Sequence, residues 1–435
     1  MKLLFIAPSA YLLGGVQDWL YLITISLRRR GHNVIVGIPD GIFHKASDYN
    51  SYFHGINAIT FKNNSGTPEG RIRSLTKFLI KHPSDIIVGV NIGDLYEAYR
   101  RYRLQNFKTH LAMTLHAIEA DYLDDIKASA SFLDSVITTN KLTQKIVIQK
   151  KLIASDRVYY APYGVATAVP LTNYSQDQKL RIAWVGRIDN EQKRASDLYK
   201  VLTNLDENNI NYVLSIAGDG PYMSQIQNEL SYWLSKGQVR TLGFMDKEKL
   251  QDIYAQHNIL LITSEWETGP IVAWEAMAAG LVVVSSRYIG CSSEGALVDG
   301  VTALLYSIGD CESAAIQLSR LCDPELRNYI ATNAKKMVST RYSADVCVSI
   351  LEKTFERILE RPSNNEYREI QKLSIPPQSS KLEKLLGRDL NEILRAFFFK
   401  RGYCCDPGSE WPHSISAQSD QKSLIEYAKR LEENA

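Results

Sequence analysis

The sequence predicts an α/β protein with two doubly wound parallel-sheet domains, 1–165 and 166–360, and a linker with a helical extension over 361–435. Three observations predict it. Short apolar runs alternate with segments whose apolar residues recur at helical spacing, the pattern of strands covered on both faces by helices. The alternation breaks once, around Pro162-Tyr163-Gly164 and the polar, aperiodic stretch 168–179, and then restarts. At about 150 residues per domain, 435 residues accommodate two such domains and an extension.

Residues 3–7 and 34–38 read as the opening strands, joined by a helix over 16–30 that stops at Gly31. Further strands are expected at 58–61, 85–90, 111–115, 135–139 and 157–161, with helices over 71–81 and 141–150 among them. After the break, strands are expected at 181–185, 212–217, 239–242, 259–263 and 281–285. Helices over 196–206, 221–235 and 271–279 separate them, and 325–339 and 343–359 close the second half. Pro221 is placed at the first helical position, where its missing N–H costs nothing. The stretch 361–380 is polar with Pro376-Pro377, a linker, and helical patterns follow at 382–400 and 423–433.

Composition narrows the function. Hydrophobic residues at 45 % and charged residues at 23 % exclude general disorder. A net charge of +2 does not suit a nucleic-acid binder, and no run of 18 apolar residues can span a membrane. Residues 1–165 nevertheless hold 20 Lys and Arg against 13 Asp and Glu, including Arg28-Arg29-Arg30 and Arg100-Arg101-x-Arg103. These clusters either attract anionic lipid or phosphate, or are ordinary solvated helix faces. The start Met1-Lys2-Leu3-Leu4-Phe5-Ile6 reads as a strand rather than a signal peptide. Six cysteines, all beyond residue 290 and without C-x-x-C spacing, fit a reducing, cytoplasmic setting, with Cys404-Cys405 a reduced pair.

Four sets of residues offer chemistry. Glu267 stands at a strand end, followed by Thr268-Gly269-Pro270 and a helix opening near Ile271, with Glu275 one turn inside it. A helix N-terminus favours a polar ligand, and two carboxylates accept hydrogen bonds from vicinal sugar or ribose hydroxyls. The plainer alternative makes both ordinary helix-associated acids. Gly186-Arg187 ends another strand, with Lys193 six residues on, a guanidinium and an ammonium suited to a departing diphosphate, or else two surface cations near a helix start. Gly14-Gly15 lies between the first strand and first helix, where glycine either lets backbone N–H groups approach an anion or simply makes a strand-to-helix turn. Gly218-Asp219-Gly220-Pro221 begins like a dinucleotide fingerprint but has Met223 at its last position, and reads mainly as a turn. His116 closes the strand at 111–115 and reaches a ligand or holds structure. No P-loop, H-E-x-x-H or G-x-S-x-G occurs, and there is no D-x-D to hold a metal on a nucleotide diphosphate.

In this order, the Gly14-Gly15 loop, Gly186-Arg187…Lys193, Gly218-x-Gly220-Pro221 and Glu267-x7-Glu275 resemble the GT-B retaining glycosyltransferases of family 4, over roughly residues 1–360. Asp299-Gly300-Val301-Thr302 resembles a further family segment. The resemblance implies two Rossmann-like domains facing a cleft, an acceptor side in 1–165 and a nucleotide-sugar donor side in 166–360. It implies that Glu275 binds the donor ribose, Glu267 the transferred sugar, and Arg187 and Lys193 the diphosphate, helped by the Gly15 backbone. Gly14, Gly186, Gly218, Thr268, Gly269, Pro270 and Ile271 would line the donor, and His116 would lie near the sugar and acceptor. A UDP-sugar such as UDP-glucose, a hydroxyl acceptor such as a lipid-linked glycan, and no metal or other cofactor are the implied partners. Peripheral contact with the inner membrane face goes with such an acceptor, and Phe397-Phe398-Phe399-Lys400-Arg401 is the stretch that could make it. Thr268 replaces a common glycine, and Ile289-Gly290-Cys291-Ser292-Ser293-Glu294 lacks the usual paired glycines, so Glu294 carries over weakly. A nucleotide-sugar epimerase of the same fold, or a non-catalytic sugar-nucleotide-binding protein, are the alternatives.

Overall fold

The computed structural model describes residues 1–8, 14–41, 45–90, 92–105, 108–166, 179–362, 381–398, 414 and 420–433. They form two compact units. The first takes Met1–Thr139, Thr143–Ala161 and Val348–Glu426, and the second Asn140–Leu142, Pro162–Cys347 and Tyr427–Ala435.

The first unit is built on seven parallel strands: β1 (Lys2–Ile6), β2 (Asn33–Pro39), β3 (Ile59–Phe61), β4 (Ile86–Val90), β5 (His110–Leu115), β6 (Ser135–Thr138) and β7 (Val158–Tyr160). Their order is β3-β2-β1-β4-β5-β6-β7. Its helices include α1 (Gly15–Arg29), α2 (Ala46–Tyr52), α3 (Pro68–Lys81), α4 (Asp94–Arg103), α5 (Ala120–Ser129) and α6 (Lys141–Gln149). Every residue of β4, Ile-Ile-Val-Gly-Val, is buried, and Leu4 of β1 lies between Ile35 and Ile87. A central strand flanked on both sides and covered on both faces needs this unbroken apolar composition.

The second unit repeats the plan with β8 (Leu180–Val185), β9 (Tyr212–Ala217), β10 (Val239–Gly243), β11 (Ile259–Ile262), β12 (Val282–Ser286) and β13 (Ala303–Tyr306), all parallel, in the order β10-β9-β8-β11-β12-β13. Helices α7 (Asp197–Glu207), α8 (Met223–Glu229), α9 (Ser231–Ser235), α10 (Lys247–Gln256), α11 (Ile271–Ala278), α12 (Cys291–Glu294), α13 (Cys311–Arg320) and α14 (Pro324–Arg341) accompany them. Alternation along β8 divides the core: Ile182 and Trp184 pack with Leu198 and Leu318 on one face, and Ala183 with Trp274 and Val338 on the other. In both sheets the strand order reverses beside the first strand, at β1/β4 and at β8/β11. Doubly wound sheets bind ligands outside the strand carboxyl ends at such a reversal.

Three later helices complete the chain: α15 (Ala344–Leu359), α16 (Lys381–Phe397) and α17 (Gln421–Glu433). Within the first unit, Glu352 of α15 pairs with Arg30 at 2.7 Å and with His32 at 2.5 Å, and Phe355 meets Phe5 edge-on. At the start of α17, Gln421 accepts from the Ala120 N–H and donates to the Ile118 carbonyl. At its other end, within the second unit, Glu432 accepts from the N–H groups of Ser292 and Ser293.

The sequence expectations differ from this structure at identifiable points. The expected helix over 221–235 is two helices, broken at Leu230, whose buried side chain accompanies non-helical angles. Pro221 precedes α8 instead of opening it, because the Tyr222 N–H bonds the Ile188 carbonyl and holds 220–222 in a turn. Strand β13 and helices α2, α4, α5, α10, α12 and α13 lie outside the expected ranges. The arginine clusters serve the fold: Arg28 donates to the carbonyls of Val34 and Gly55, Arg100 pairs with Glu97, and Arg101 bridges Glu97 and Glu69. The stretch Phe399-Lys400-Arg401 and the pair Cys404-Cys405 lie outside the described residues. Among those residues no helix is long and apolar enough to cross a membrane.

Candidate active site

The second sheet brings its charged residues together at the reversal between β8 and β11. After β8 the chain turns at Gly186, φ 156°. Asp189 then fixes the loop: its Oδ1 accepts from the N–H groups of Gln192 at 2.8 Å and Lys193 at 3.0 Å, and its Oδ2 from Arg187 Nε at 2.7 Å. Burial alone would raise the Asp189 pKa, but these hydrogen bonds outweigh it and hold the carboxyl below its ordinary value. The Lys193 carbonyl is anchored by Thr263 Oγ1 at 2.6 Å, and Thr263 Oγ1 accepts from Trp184 Nε1. Lys193 therefore leaves the loop in one direction.

That direction is toward Glu267. Lys193 Nζ lies 2.6 Å from Glu267 Oε1, and Ser264 Oγ donates to the same oxygen at 2.5 Å. Both charged side chains are largely buried, so the pair is weakly screened. A Cβ on Gly186 would stand 3.3 Å from Lys193 Cε, so glycine leaves room for the lysine stem. Arg187 is more open, its side chain 64 % exposed, and leans toward Gln192 Oε1 at 3.4 Å. Gln192 ties this loop to the next one, its carbonyl accepting from the Glu265 N–H and its side chain donating to the Trp266 carbonyl.

Beyond Glu267, Thr268-Gly269-Pro270 turns into α11 with Gly269 at φ 90°, a conformation that suits glycine, and Pro270 as N-cap. Ile271 opens the helix and Glu275 follows one turn later. Tyr254 Oη, on α10, donates to Glu275 Oε2 at 3.2 Å. Gly186, Arg187, Lys193, Glu267, Thr268, Gly269 and Pro270 thus lie in the loops after the neighbouring strands β8 and β11, with Ile271 and Glu275 in the first turns of α11. Gly218 has a packing reason of its own: a Cβ there would stand 1.8 Å from the Gly186 carbonyl oxygen. Gly290 does the same for the Glu267 carbonyl, at 2.7 Å. Glu294, buried, accepts from Tyr342 Oη and the Lys141 N–H, which makes it a brace for the second unit.

Gly14, Gly15 and His116 belong to the first unit. Gly14, φ 157°, precedes α1, which Gly15 opens, while 9–13 of that loop lie outside the described residues. Trp19 of α1 meets the His116 ring edge-on at 4.7 Å. Thr114 Oγ1 donates to the Gly89 carbonyl and so accepts from His116 Nε2, 2.9 Å away. Burial pushes the His116 pKa down to about 3, so the ring is neutral at physiological pH.

Asp189, Ser264 and Tyr254 were not singled out from sequence. Ser264-x-x-Glu267 has the i,i+3 spacing that lets a hydroxyl reach a carboxylate, a usable local signal. Tyr254 has none, since only tertiary packing sets it beside Glu275. Among the described residues no group of three or more His, Cys, Asp or Glu could hold a metal ion.

Comparison with known proteins agrees with this architecture. Residues 173–337, which contain the second sheet, match the family Glycosyl transferases group 1. An uncharacterized glycosyltransferase of Methanocaldococcus jannaschii is 34 % identical over 176 residues, 39 % of this chain and 43 % of its own length. The match therefore spans less than half of that relative. A glycosyltransferase structure from Rickettsia africae superposes with a TM-score of 0.66 at 13 % identity, covering 83 % of this chain and 99 % of its own. Anabaena HepE, solved with UDP-glucose, superposes with a TM-score of 0.65 at 18 % identity, over 83 % and 100 %. The fold is that of the GT-B glycosyltransferases, two Rossmann-like α/β units with additional C-terminal helices. The match to Glycosyl transferases group 1 lies over the second sheet.

Proposed function

We propose that this chain is a retaining, metal-independent hexosyltransferase. It moves a sugar from a nucleoside diphosphate, with UDP-glucose the first donor to test, to a hydroxyl acceptor in polysaccharide or glycolipid assembly. The single observation behind this is the Lys193–Glu267 contact at the β8/β11 reversal, a buried cation and anion side by side on an α/β strand-end crevice. A donor presents the two complementary chemistries: phosphates for the cation and hydroxyls for the anion.

In this scheme Lys193 and Arg187 stabilise charge on the diphosphate as the glycosidic bond breaks, which supplies the main catalytic term. Glu267 holds hydroxyls of the transferred sugar, and Glu275, oriented by Tyr254, holds the ribose hydroxyls. The acceptor hydroxyl attacks on the leaving-group face, with the anomeric configuration kept. HepE's complex with UDP-glucose supports the choice of donor. A lipid-linked acceptor, reached by peripheral contact with a membrane surface, completes the proposal.

A thermal-shift panel of nucleoside diphosphates and their sugars tests the donor, since a ligand bound to the folded state raises the melting temperature. UDP-glucose is expected to give the largest rise, and no rise with any nucleotide would refute the proposal. Proton NMR of the glycoside product reports the anomeric configuration, and a β product from an α donor would remove retention from it.

A further inference from the structure

Helix α16 docks on the first unit with the wrong face for a soluble helix. Its contacts with the body are polar: Glu392 accepts from Thr67 Oγ1 at 2.7 Å, Arg395 donates to the Ser65 carbonyl at 3.0 Å, and Asp389 pairs with Arg73. Asn391 and Glu392 are the residues of this helix that become buried. Leu390, Ile393 and Phe397 fall at i, i+3 and i+7, one stripe of the helix, and face outward. Ile393 is 61 % exposed and Phe397 74 %, with Phe398 beside it at 64 %. Before the break at Gly387, Leu385 is 81 % exposed. A helix on a soluble domain ordinarily buries its apolar residues, and α16 leaves this stripe outward.

Charge says what covers this stripe. Arg73, which holds Asp389, begins an i, i+4, i+8 row on α3 that continues through exposed Lys77 and Lys81. Ser74 of the same helix bonds the carbonyl of Lys62, whose ammonium is also exposed. On α16 itself Lys384 and Arg388 are exposed, Arg388 beside Glu383 at 3.1 Å. An apolar stripe flanked by cations is the composition that enters the headgroup boundary of an anionic bilayer. A second copy of this chain would have to bring these same cations together.

We propose that the outward stripe of α16, Leu390-Ile393-Phe397 with Phe398, is the surface by which this protein seats itself on anionic lipid. This rests on the membrane-proximal part of the proposed function and assigns it to one helix. Arg28, Arg30, Arg100 and Arg101, engaged in the fold, are not that surface.

Co-sedimentation of the full chain with phosphatidylcholine vesicles, with and without phosphatidylglycerol, tests it. The chain is expected to pellet with the anionic vesicles, and much less with neutral ones. The double variant Ile393→Ser, Phe397→Ser is expected to lose at least roughly tenfold in apparent affinity, because each change removes an apolar side chain from the insertion. Its far-UV circular dichroism and UDP-glucose thermal shift are expected to stay as in the parent, since these side chains are exposed. Undiminished pelleting of the variant, or equal pelleting with neutral vesicles, overturns the proposal. So does a dimer in light scattering that the variant dissolves without any vesicle binding. A lost UDP-glucose shift in the parent strikes at the donor assignment instead, so the two failures are distinguishable.

Discussion

The two sheets share their strand order, apart from the extra edge strand β7 of the first, but equip their strand ends differently. In the second unit, cation and anion face each other directly, with Asp189, Thr263 and Ser264 fixing how each is presented. In the first unit the strand-end histidine is neutral, buried against Trp19 and fastened to Thr114. Its arginines are used to tie helices α3 and α4 together. The same topology thus provides one set of strand ends that carries an ion pair and one that carries a neutral, buried histidine. Topology chooses where a ligand can sit, and loop residues choose which chemistry meets it.

The strongest way to break this contrast is Lys193→Ala. Removing the cation leaves Glu267 buried without its charged partner and is expected to lower donor turnover roughly 10- to 100-fold, the loss of one charge-assisted contact. A UDP-glucose consumption assay, with circular dichroism to confirm the fold, measures it, and parental turnover would refute the role given to Lys193.

A smaller effect separates the units by pH. His116 titrates near 6.5 when unfolded and near 3 when folded, so the unfolded chain binds the extra proton between those values. Its contribution is complete above about pH 6.5 and is lost as the pH falls toward 3. Between about pH 7 and about pH 5 the parent is expected to lose about 2 kcal/mol more stability than His116→Gln, measured by urea denaturation. Equal losses in the two proteins would mean that His116 is not held neutral.

The smallest effect sharpens the donor side. Tyr254→Phe deletes the hydroxyl that donates to Glu275 and is expected to raise the KM for UDP-glucose roughly two- to tenfold with little change in kcat. An equal fall in kcat would place Tyr254 in the chemical step rather than in positioning the carboxylate.

Much of this plan was legible in the residues. Runs such as Ile-Leu-Leu-Ile at 259–262 and Val-Val-Val at 282–284 announce strands covered on both faces, and their alternation with helices announces parallel sheets. The β13 strand was not legible, because four residues after the turn at Gly300 are too few to establish a period. Glu267 and Lys193 were individually visible, but their contact joins positions 74 apart and exists only because β8 and β11 are neighbours. Arg100 and Arg101 misled for the same reason in reverse, since carboxylates on α3 and α4 consume them. The outward stripe of α16 is visible in sequence as a helical period, but only the polar docking through Thr67 and Ser65 reveals which side faces away.

The glycines at 218, 220 and 290 each lie where a neighbouring loop's main chain occupies the place of a side chain. The loops that carry Arg187, Lys193 and Glu267 are therefore interlocked like the wards of a single lock, and none can be recut alone. Efforts to evolve this scaffold toward another nucleotide will find single-loop libraries mostly barren, and will need to vary 186–194, 218–222 and 264–270 as one cassette with 289–291.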